Sequence, residues 1–166
     1  RKRNDRQVRV CSGEYEEVVE FNLDLIESSE TSTWSNYFKG TIDVLQKAGY
    51  RLAGLDAVVL GNVPQGAGLS SSAAFEVATA TLCDELFGLN ISPKEKAVLA
   101  QKAENEFVGV ACGIMDQFIS AAGKAGHGLF LDCRSLEYEH VPLHLDDAAV
   151  MVINTNKRRG LVDSEY

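Results

Sequence analysis

The stretch most informative about the fold is Asn62-Val-Pro-Gln-Gly-Ala-Gly-Leu-Ser-Ser-Ser-Ala-Ala74. Residues 55–63 form the apolar run of a buried strand, and residues 71–87 have the composition of a helix. The stretch is therefore predicted to turn tightly from a strand into a helix. Its two glycines, Gly66 and Gly68, let the backbone come close to a ligand, and the helix start offers N–H groups without partners.

Such a turn is suited to binding phosphate, because unpaired N–H groups and the positive end of the helix dipole attract anions. An ordinary strand-to-helix turn with serine caps has the same residues, so both interpretations stay open on local grounds. A Walker A loop is excluded, since Ala67-Gly68 stands where Lys and Ser or Thr are required. A dinucleotide-binding loop is disfavoured, since Ser71 takes the place of the third glycine.

The remaining pattern mixes strands with helices. The segment Ser92-Pro93-Lys94-Glu95 is a capping box with proline at the first helical position, and it predicts a helix that runs to about residue 108. Strands are predicted at 7–12, 17–21, 55–63, 128–133, 138–142 and 149–154, and the other helices at 34–48, 71–87 and 113–122. This order favours an α+β fold of two layers, a mixed sheet covered by helices, over a regular doubly wound sheet.

Composition and charge exclude several classes of function. The 166 residues hold 16 basic and 24 acidic side chains, a net charge of −8 that disfavours general nucleic-acid binding. Five basic residues among the first nine are expected to be a solvated or frayed end. No apolar run is long enough for a membrane span, and the four cysteines show neither zinc nor disulfide spacing, so we expect buried, reduced thiols in a cytoplasmic protein.

Two acids downstream are candidates for chemistry. Glu104 lies late in the helix that begins at Pro93, and Asp116 lies in the first turn of the next helix. Each has a plain alternative: Glu104 could be solvated on a polar face, and Asp116 could stabilise the helix start. A phosphate loop, a metal ligand and a base are together the set that phosphoryl transfer requires.

Four stretches resemble a known family. Pro64-Gln-Gly-Ala-Gly-Leu-Ser-Ser-Ser-Ala73 resembles the second motif of the GHMP small-molecule kinases. Three longer stretches resemble the galactokinase branch of that family: Glu104-Asn-Glu-Phe-Val-Gly-Val-Ala-Cys-Gly-Ile-Met-Asp-Gln117, His127-Gly-Leu-Phe-Leu-Asp-Cys-Arg-Ser135 and Arg158-Arg-Gly-Leu-Val-Asp-Ser-Glu-Tyr166. The similarity extends over nearly the whole chain.

The resemblance implies that the protein transfers the γ-phosphate of ATP to the C1 hydroxyl of galactose. In this interpretation Ser72 and Glu104 hold Mg²⁺, the implied cofactor, and Asp116 takes or orients the proton of that hydroxyl. The ATP phosphates would be wrapped by seven consecutive residues: Gly66, Ala67, Gly68, Leu69, Ser70, Ser71 and Ser72. Phosphorylation of N-acetylgalactosamine or another hexose, and a sensor that binds sugar and ATP without turnover, are the alternatives.

Further roles implied by the resemblance concern four residues. Gly113 would approach the sugar through its backbone, and Tyr166 would contact the sugar. Trp34 matches a tryptophan near the adenine pocket, with a core aromatic as its alternative. Arg158 would support the active site, unless it is a surface arginine.

The chain lacks the family's N-terminal signature and its C-terminal third motif. The resemblance therefore implies that residues 1–166 are most of the GHMP kinase N-terminal domain, without the C-terminal domain. We expect this piece alone to be inactive, because the signature supplies an arginine and the sugar contacts. The expected partners are the small molecules galactose and ATP, with neither nucleic acid nor membrane.

Overall fold

The computed structural model describes residues 1–153, and the structural statements below concern that part of the chain. Strands and helices alternate irregularly, which confirms the predicted α+β class. In chain order the elements are β1 (Gln7–Ser12), β2 (Glu17–Asn22), α1 (Ser35–Lys47), β3 (Leu55–Val59), α2 (Ser71–Phe87), α3 (Pro93–Lys102), a π-helical turn (Ala103–Val108), α4 (Met115–Ala122), β4 (His127–Leu131) and β5 (Tyr138–Pro142).

The first three strands form a mixed sheet in the order β2-β1-β3. β1 and β2 are an antiparallel hairpin, whereas β1 and β3 run parallel with Val8 opposite Leu55. A parallel pair needs a crossover connection, and α1 supplies it. Val8 and Val10 on β1 are fully buried and alternate with exposed residues, so one face of the sheet meets the core.

The helices form the second layer. α1 buries Phe38, Ile42 and Leu45 in the same cluster as the β1 valines. α2 packs against α1, α3 and α4, so it is the central helix of this layer. Its end at Gly88, which has a φ of +67°, was predicted from the sequence.

The last two strands, β4 and β5, form a separate antiparallel hairpin that packs against the far end of the helical layer. Phe118 of α4 is fully buried, and its ring meets Tyr138 of β5 edge to face with centroids 5.1 Å apart. This contact holds α4 against the hairpin of β4 and β5.

Two strand predictions differ from the structure by more than two residues. β3 ends at Val59 and not at residue 63, because its partner β1 ends at Ser12, the residue opposite Val59. Residues 149–153 form no strand, since nothing in residues 1–153 pairs with them, and residue 154 lies outside the described part. An apolar run predicts burial, but only a neighbouring strand supplies the hydrogen bonds of a ladder.

The helix predicted from Pro93 to about residue 108 changes its character part of the way along. It is α-helical to Lys102 and then widens into the π-helical turn, where the N–H of Gly109 donates to the carbonyl oxygen of Glu104 at 3.0 Å. Gly40 of α1 allows close approach, since a Cβ there would lie 2.9 Å from Cβ of Phe107. Such turns are frequent at functional sites.

The basic N-terminus was expected to be solvated or frayed: four of its five basic residues are exposed to solvent, but the segment is not frayed. Arg3 pairs with Asp5 at 2.7 Å and with Asp56 of β3 at 2.8 Å, and Arg1 pairs with Asp56 at 2.9 Å. The hydrogen bonds that Arg3 donates to Asp5 and Asp56 raise the pKa of Arg3 above its usual value. These contacts tie the first residues to the sheet.

All four cysteines are free, and the expectation of buried thiols holds for Cys83 alone, since Cys11 and Cys112 are half-buried and Cys133 is exposed. In residues 1–153, no helix combines the length and the apolarity that crossing a bilayer requires.

Candidate active site

The loop between β3 and α2 has an unusual backbone. Gly66, Gly68 and Ser70 all have positive φ, at 66°, 71° and 57°. Left-handed residues at alternating positions turn successive N–H groups toward one side, which makes a concave binding surface for anions. Within residues 1–153, no N–H of residues 66–70 donates a hydrogen bond to another backbone group. The loop therefore presents unpaired donors.

The start of α2 adds to this surface. Ser70 is the residue before the helix, and its side chain makes no capping hydrogen bond. α3 shows the contrast, because Ser92 Oγ there accepts a hydrogen bond from the N–H of Glu95 at 3.2 Å. The turn with serine caps, one of the two interpretations of this stretch, is therefore not what α2 forms. The N–H groups at its start are left for a ligand.

The loop is anchored at its beginning by the turn between β1 and β2. The hydroxyl of Tyr15 donates to Gln65 Oε1 at 2.6 Å, and Gln65 Nε2 donates to Glu14. Gln65 directly precedes Gly66, so the position of the loop is fixed relative to the sheet.

Trp34 stands beside this anchor. Its ring stacks with Tyr15 and with Phe75 of α2, whose centroids lie 5.9 and 6.4 Å away. Its Nε1 donates to Glu17 Oε2 at 2.6 Å, and hydrogen bonds from Ser32 and Trp34 lower the pKa of Glu17. Two aromatic side chains stack on the indole, so Trp34 has a packing role. A contact of its edge with adenine stays a prediction.

A buried polar cluster lies behind α2, and we call Glu76, Glu104, Cys112 and Gln117 the carboxylate cluster. Glu104, in the π-helical turn, is only 2% exposed, so the alternative of a solvated polar face is wrong. Its Oε2 accepts hydrogen bonds from Gln117 Nε2 at 2.5 Å and from Cys112 Sγ at 3.3 Å. Gln117 Nε2 also lies 3.4 Å from Oε2 of the fully buried Glu76.

Burial changes the protonation of two members of the cluster. Loss of solvent and then the nearby Glu104 raise the pKa of Glu76 to about 9. The same two causes raise the pKa of Cys112 to about 12. Both groups therefore keep their protons at neutral pH, and Cys112 can donate to Glu104.

The cluster has the chemistry of a divalent cation site. Among residues 1–153, neither Lys nor Arg pairs with Glu104 or Glu76, and two buried oxygens, Glu76 Oε1 and Gln117 Oε1, have no hydrogen-bond partner. A buried carboxylate without a cationic partner fits Mg²⁺, which prefers oxygen ligands. The described residues contain no group of three or more His, Cys, Asp and Glu that could hold a metal. Phosphate oxygens and water would therefore have to complete its coordination.

Ser72, the other predicted metal ligand, is half-buried in the first turn of α2. It precedes Glu76 by four residues, so the two side chains share one face of the helix. Ser72 therefore lies on the face of α2 from which Glu76 extends into the carboxylate cluster.

Asp116 lies in the first turn of α4 and is exposed, as is Gly113 just before the helix. A Cβ at Gly113 would meet no atom of residues 1–153 within 4 Å, which leaves the backbone there accessible to a ligand. Gln117 follows Asp116 directly and points into the carboxylate cluster. The predicted base and the predicted metal ligand are therefore linked through adjacent residues. Arg158 and Tyr166 lie outside the described residues.

Three members of the cluster were not predicted from the sequence: Glu76, Cys112 and Gln117. Glu76 gave the clearest signal, because it falls on the same helical stripe as the buried Ala73 and Ala80. An acid at an apolar position predicts a buried partner or an altered pKa.

Comparison with known proteins agrees with this architecture. Residues 36–124, more than half of the chain, match the family model for the GHMP kinases N terminal domain. Over 99% of its length the chain is 45% identical to a Clostridium perfringens protein named galactokinase. It spans 43% of that relative's length.

Solved structures give the same result. The crystal structure of Lactococcus lactis galactokinase complexed with galactose matches 99% of this chain and 43% of its own chain, with a TM-score of 0.89 and 39% identity. Mevalonate kinase of Methanococcus jannaschii covers 73% of this chain and 39% of its own, with a TM-score of 0.62 at 17% identity, and shows the shared fold. Sequence match and fold together place the chain in the GHMP kinase family.

Proposed function

We propose that the full-length protein is a galactokinase, which transfers the γ-phosphate of ATP to the C1 hydroxyl of galactose and releases galactose 1-phosphate and ADP. One observation carries the proposal. An open N–H loop at α2, a buried Glu104 that pairs with no Lys or Arg of residues 1–153 and an exposed Asp116 lie in one fold, where α2 packs against both the π-helical turn and α4. The relatives named galactokinase match this chain over 99% of its length.

The proposed nucleotide site is the loop with the start of α2. Residues 66–72 would receive the ATP phosphates on their unpaired N–H groups, where the helix dipole adds about 0.3–1 kcal/mol per exposed anion. Trp34 would lie near the adenine, as the resemblance implies.

Ser72 and Glu104 would hold Mg²⁺. When bound, the ion neutralises charge on the phosphates and orients the γ-phosphate. Glu104 offers a carboxylate whose inner oxygen is already fixed by Gln117 and Cys112, and Ser72 offers a hydroxyl from the nucleotide loop. The chemistry of both ligands is that of a hard cation.

Asp116 would act on the sugar. The C1 oxygen attacks the γ-phosphorus, the bond from that phosphorus to the bridging oxygen of ADP breaks, and the hydroxyl proton passes to the Asp116 carboxylate. The exposure of Asp116 leaves room for a sugar, and the bare backbone at Gly113 allows the sugar to approach. Tyr166 and Arg158 are proposed as a sugar contact and a supporting residue. We also propose that residues 1–166 make up most of the N-terminal domain and that the enzyme acts in the cytoplasm.

The experiment is a coupled assay of ADP release by the full-length protein with ATP, Mg²⁺ and single sugars. Galactose should give the highest kcat/KM, and N-acetylgalactosamine or another hexose should give a far lower one. A preference for either of those replaces galactose in the proposal. Calorimetric binding of galactose and ATP without turnover would instead support a sensor and refute the kinase.

A further inference from the structure

Gln117 is fully buried, although it belongs to a short helix at the edge of the candidate site. Its Nε2 lies 2.5 Å from Glu104 Oε2 and 3.4 Å from Glu76 Oε2. The amide therefore sits between two carboxyl groups that come from the π-helical turn and from α2. A buried polar side chain in this position is held by its partners and in turn holds them.

The two oxygens of Glu104 are in different situations. Oε2 accepts from both Gln117 and Cys112, whereas no side chain in the described part of the protein donates to Oε1. One oxygen is thus fixed inward and the other is left for a ligand. Groups behind a metal ligand that fix its orientation in this way contribute strongly to metal affinity.

We propose that Gln117 is a positioning residue, which holds Glu104 in the orientation that binds the divalent cation. The same hydrogen bond fixes the first turn of α4, which carries Asp116, relative to the metal site. This inference rests on the proposed function, because it takes Glu104 as a metal ligand. Gln117 itself touches neither the cation nor the sugar.

The link to Asp116 follows from helix geometry. Successive residues of an α-helix are turned by about 100° from each other, so Gln117 can face inward while its neighbour Asp116 faces out. The first turn of α4 cannot shift without moving both side chains. The hydrogen bond from Gln117 to Glu104 therefore sets the distance between the proposed base and the proposed metal ligand.

The test measures how much Mg²⁺ strengthens the binding of a non-hydrolysable ATP analogue to the full-length protein, by calorimetry with and without the ion. Gln117→Met keeps the size of the side chain and removes the donor. It should reduce the Mg²⁺-dependent gain in affinity about tenfold or more, as Glu104→Gln should. The double variant should be no worse than Glu104→Gln alone, because both changes remove one shared interaction.

Thr79→Val is the matched control. Thr79 is equally buried on α2, and within residues 1–153 its hydroxyl bonds only to the carbonyl of Phe75, so its loss should lower stability and leave the Mg²⁺ effect unchanged. If Gln117→Met does not fold, Gln117→Asn replaces it, since an amide one methylene shorter cannot reach Glu104 and should show the same loss.

Two outcomes overturn the inference and differ from each other. If Glu104→Gln loses the Mg²⁺ effect and the Gln117 variants keep it, Glu104 is a ligand and Gln117 does not position it. If Glu104→Gln also keeps the effect, the metal assignment in the proposed function fails, and the inference fails with it.

Discussion

Lys96 Nζ of α3 lies 2.7 Å from Asp84 Oδ2 of α2, and the two side chains are only 13% and 12% exposed. Asp84 also accepts a hydrogen bond from the N–H of Ile91, in the loop between the two helices. Lys96 and this N–H lower the pKa of Asp84 below its usual value. The pair thereby fixes the angle at which α3, and the π-helical turn behind it, leaves α2.

Asp84→Asn should destabilise the protein by roughly 1–3 kcal/mol, because Lys96 keeps its charge in a largely buried place without a partner. An asparagine at position 84 can still accept the hydrogen bond from the N–H of Ile91, so the substitution removes only the negative charge. Thermal unfolding of the full-length protein measures the loss. Glu20→Gln, which breaks an exposed pair with Arg9, should cost less than about 1 kcal/mol. Equal losses in the two variants would contradict the role of burial.

The same pair predicts a dependence on pH. The pKa of Asp84 is lowered in the folded state, so its contribution is present above the unfolded pKa of about 3.9 and is lost as the pH falls through the folded value. Unfolding measured from pH 6 down to pH 2 should therefore show a smaller loss of stability in Asp84→Asn than in the parent. Identical pH profiles would show that the pair is formed in neither state or in both.

Gly68→Val should weaken the binding of ATP about tenfold or more. A side chain there would fill the open space in front of the loop, at a φ of +71° that a branched residue rarely adopts. Gly88→Val is the matched control, since Gly88 has a φ of +67° and open surroundings at the opposite end of α2. Calorimetric titration should show lower affinity in the first variant alone. A similar loss in both variants would trace the effect to unfolding and not to the phosphate site.

Asp116→Asn should lower kcat by about 10²–10⁴, the usual contribution of a general base, with little effect on stability because the side chain is exposed. Steady-state kinetics with galactose measure the first effect, and thermal unfolding measures the second. A variant with the parent's kcat removes Asp116 from the mechanism.

Glu104→Gln should raise the Mg²⁺ concentration needed for half-maximal activity about tenfold or more, since an amide oxygen is a weaker ligand than a carboxylate. Glu106, two residues later, is exposed and lies 3.9 Å from Lys102, so Glu106→Gln should leave the Mg²⁺ dependence unchanged. Titration of activity with Mg²⁺ compares the two variants, and equal curves would show that Glu104 has no special role.

Gly40→Ala should destabilise the protein by about 1–3 kcal/mol, because its Cβ would lie within 3.0 Å of the Phe107 side chain and force α1 from the π-helical turn. The loss should become smaller, but not vanish, in the background Phe107→Ala, which removes the ring and keeps Cβ. Chemical denaturation measures all three variants. Strict additivity would mean that the two residues do not touch.

Features that depend on neighbouring residues could be predicted from the sequence alone. Glycines at 66 and 68 ahead of three serines define the turn from strand to helix, and Gly88 and the Ser92-Pro93 start define helix ends. Periodicity placed α1, α2 and the strands β1, β2 and β5 to within a residue or so, because period and capping are local properties. Asp116 in the first turn of α4 was predicted in the same way.

The end of β3 and the surroundings of Glu104 depend on contacts between distant segments, so they could not be predicted from the sequence. β3 stops where β1 stops, and that limit belongs to the partner strand. In the sequence, Glu104 is one acid in a polar stretch. In the fold it lies beside Gln117, thirteen residues later, and Glu76, twenty-eight residues earlier. The burial of Glu104 and the raised pKa of Glu76 arise from packing between α2, the π-helical turn and α4. Contacts between segments so far apart in the chain leave no periodic signal in the sequence of any one of them.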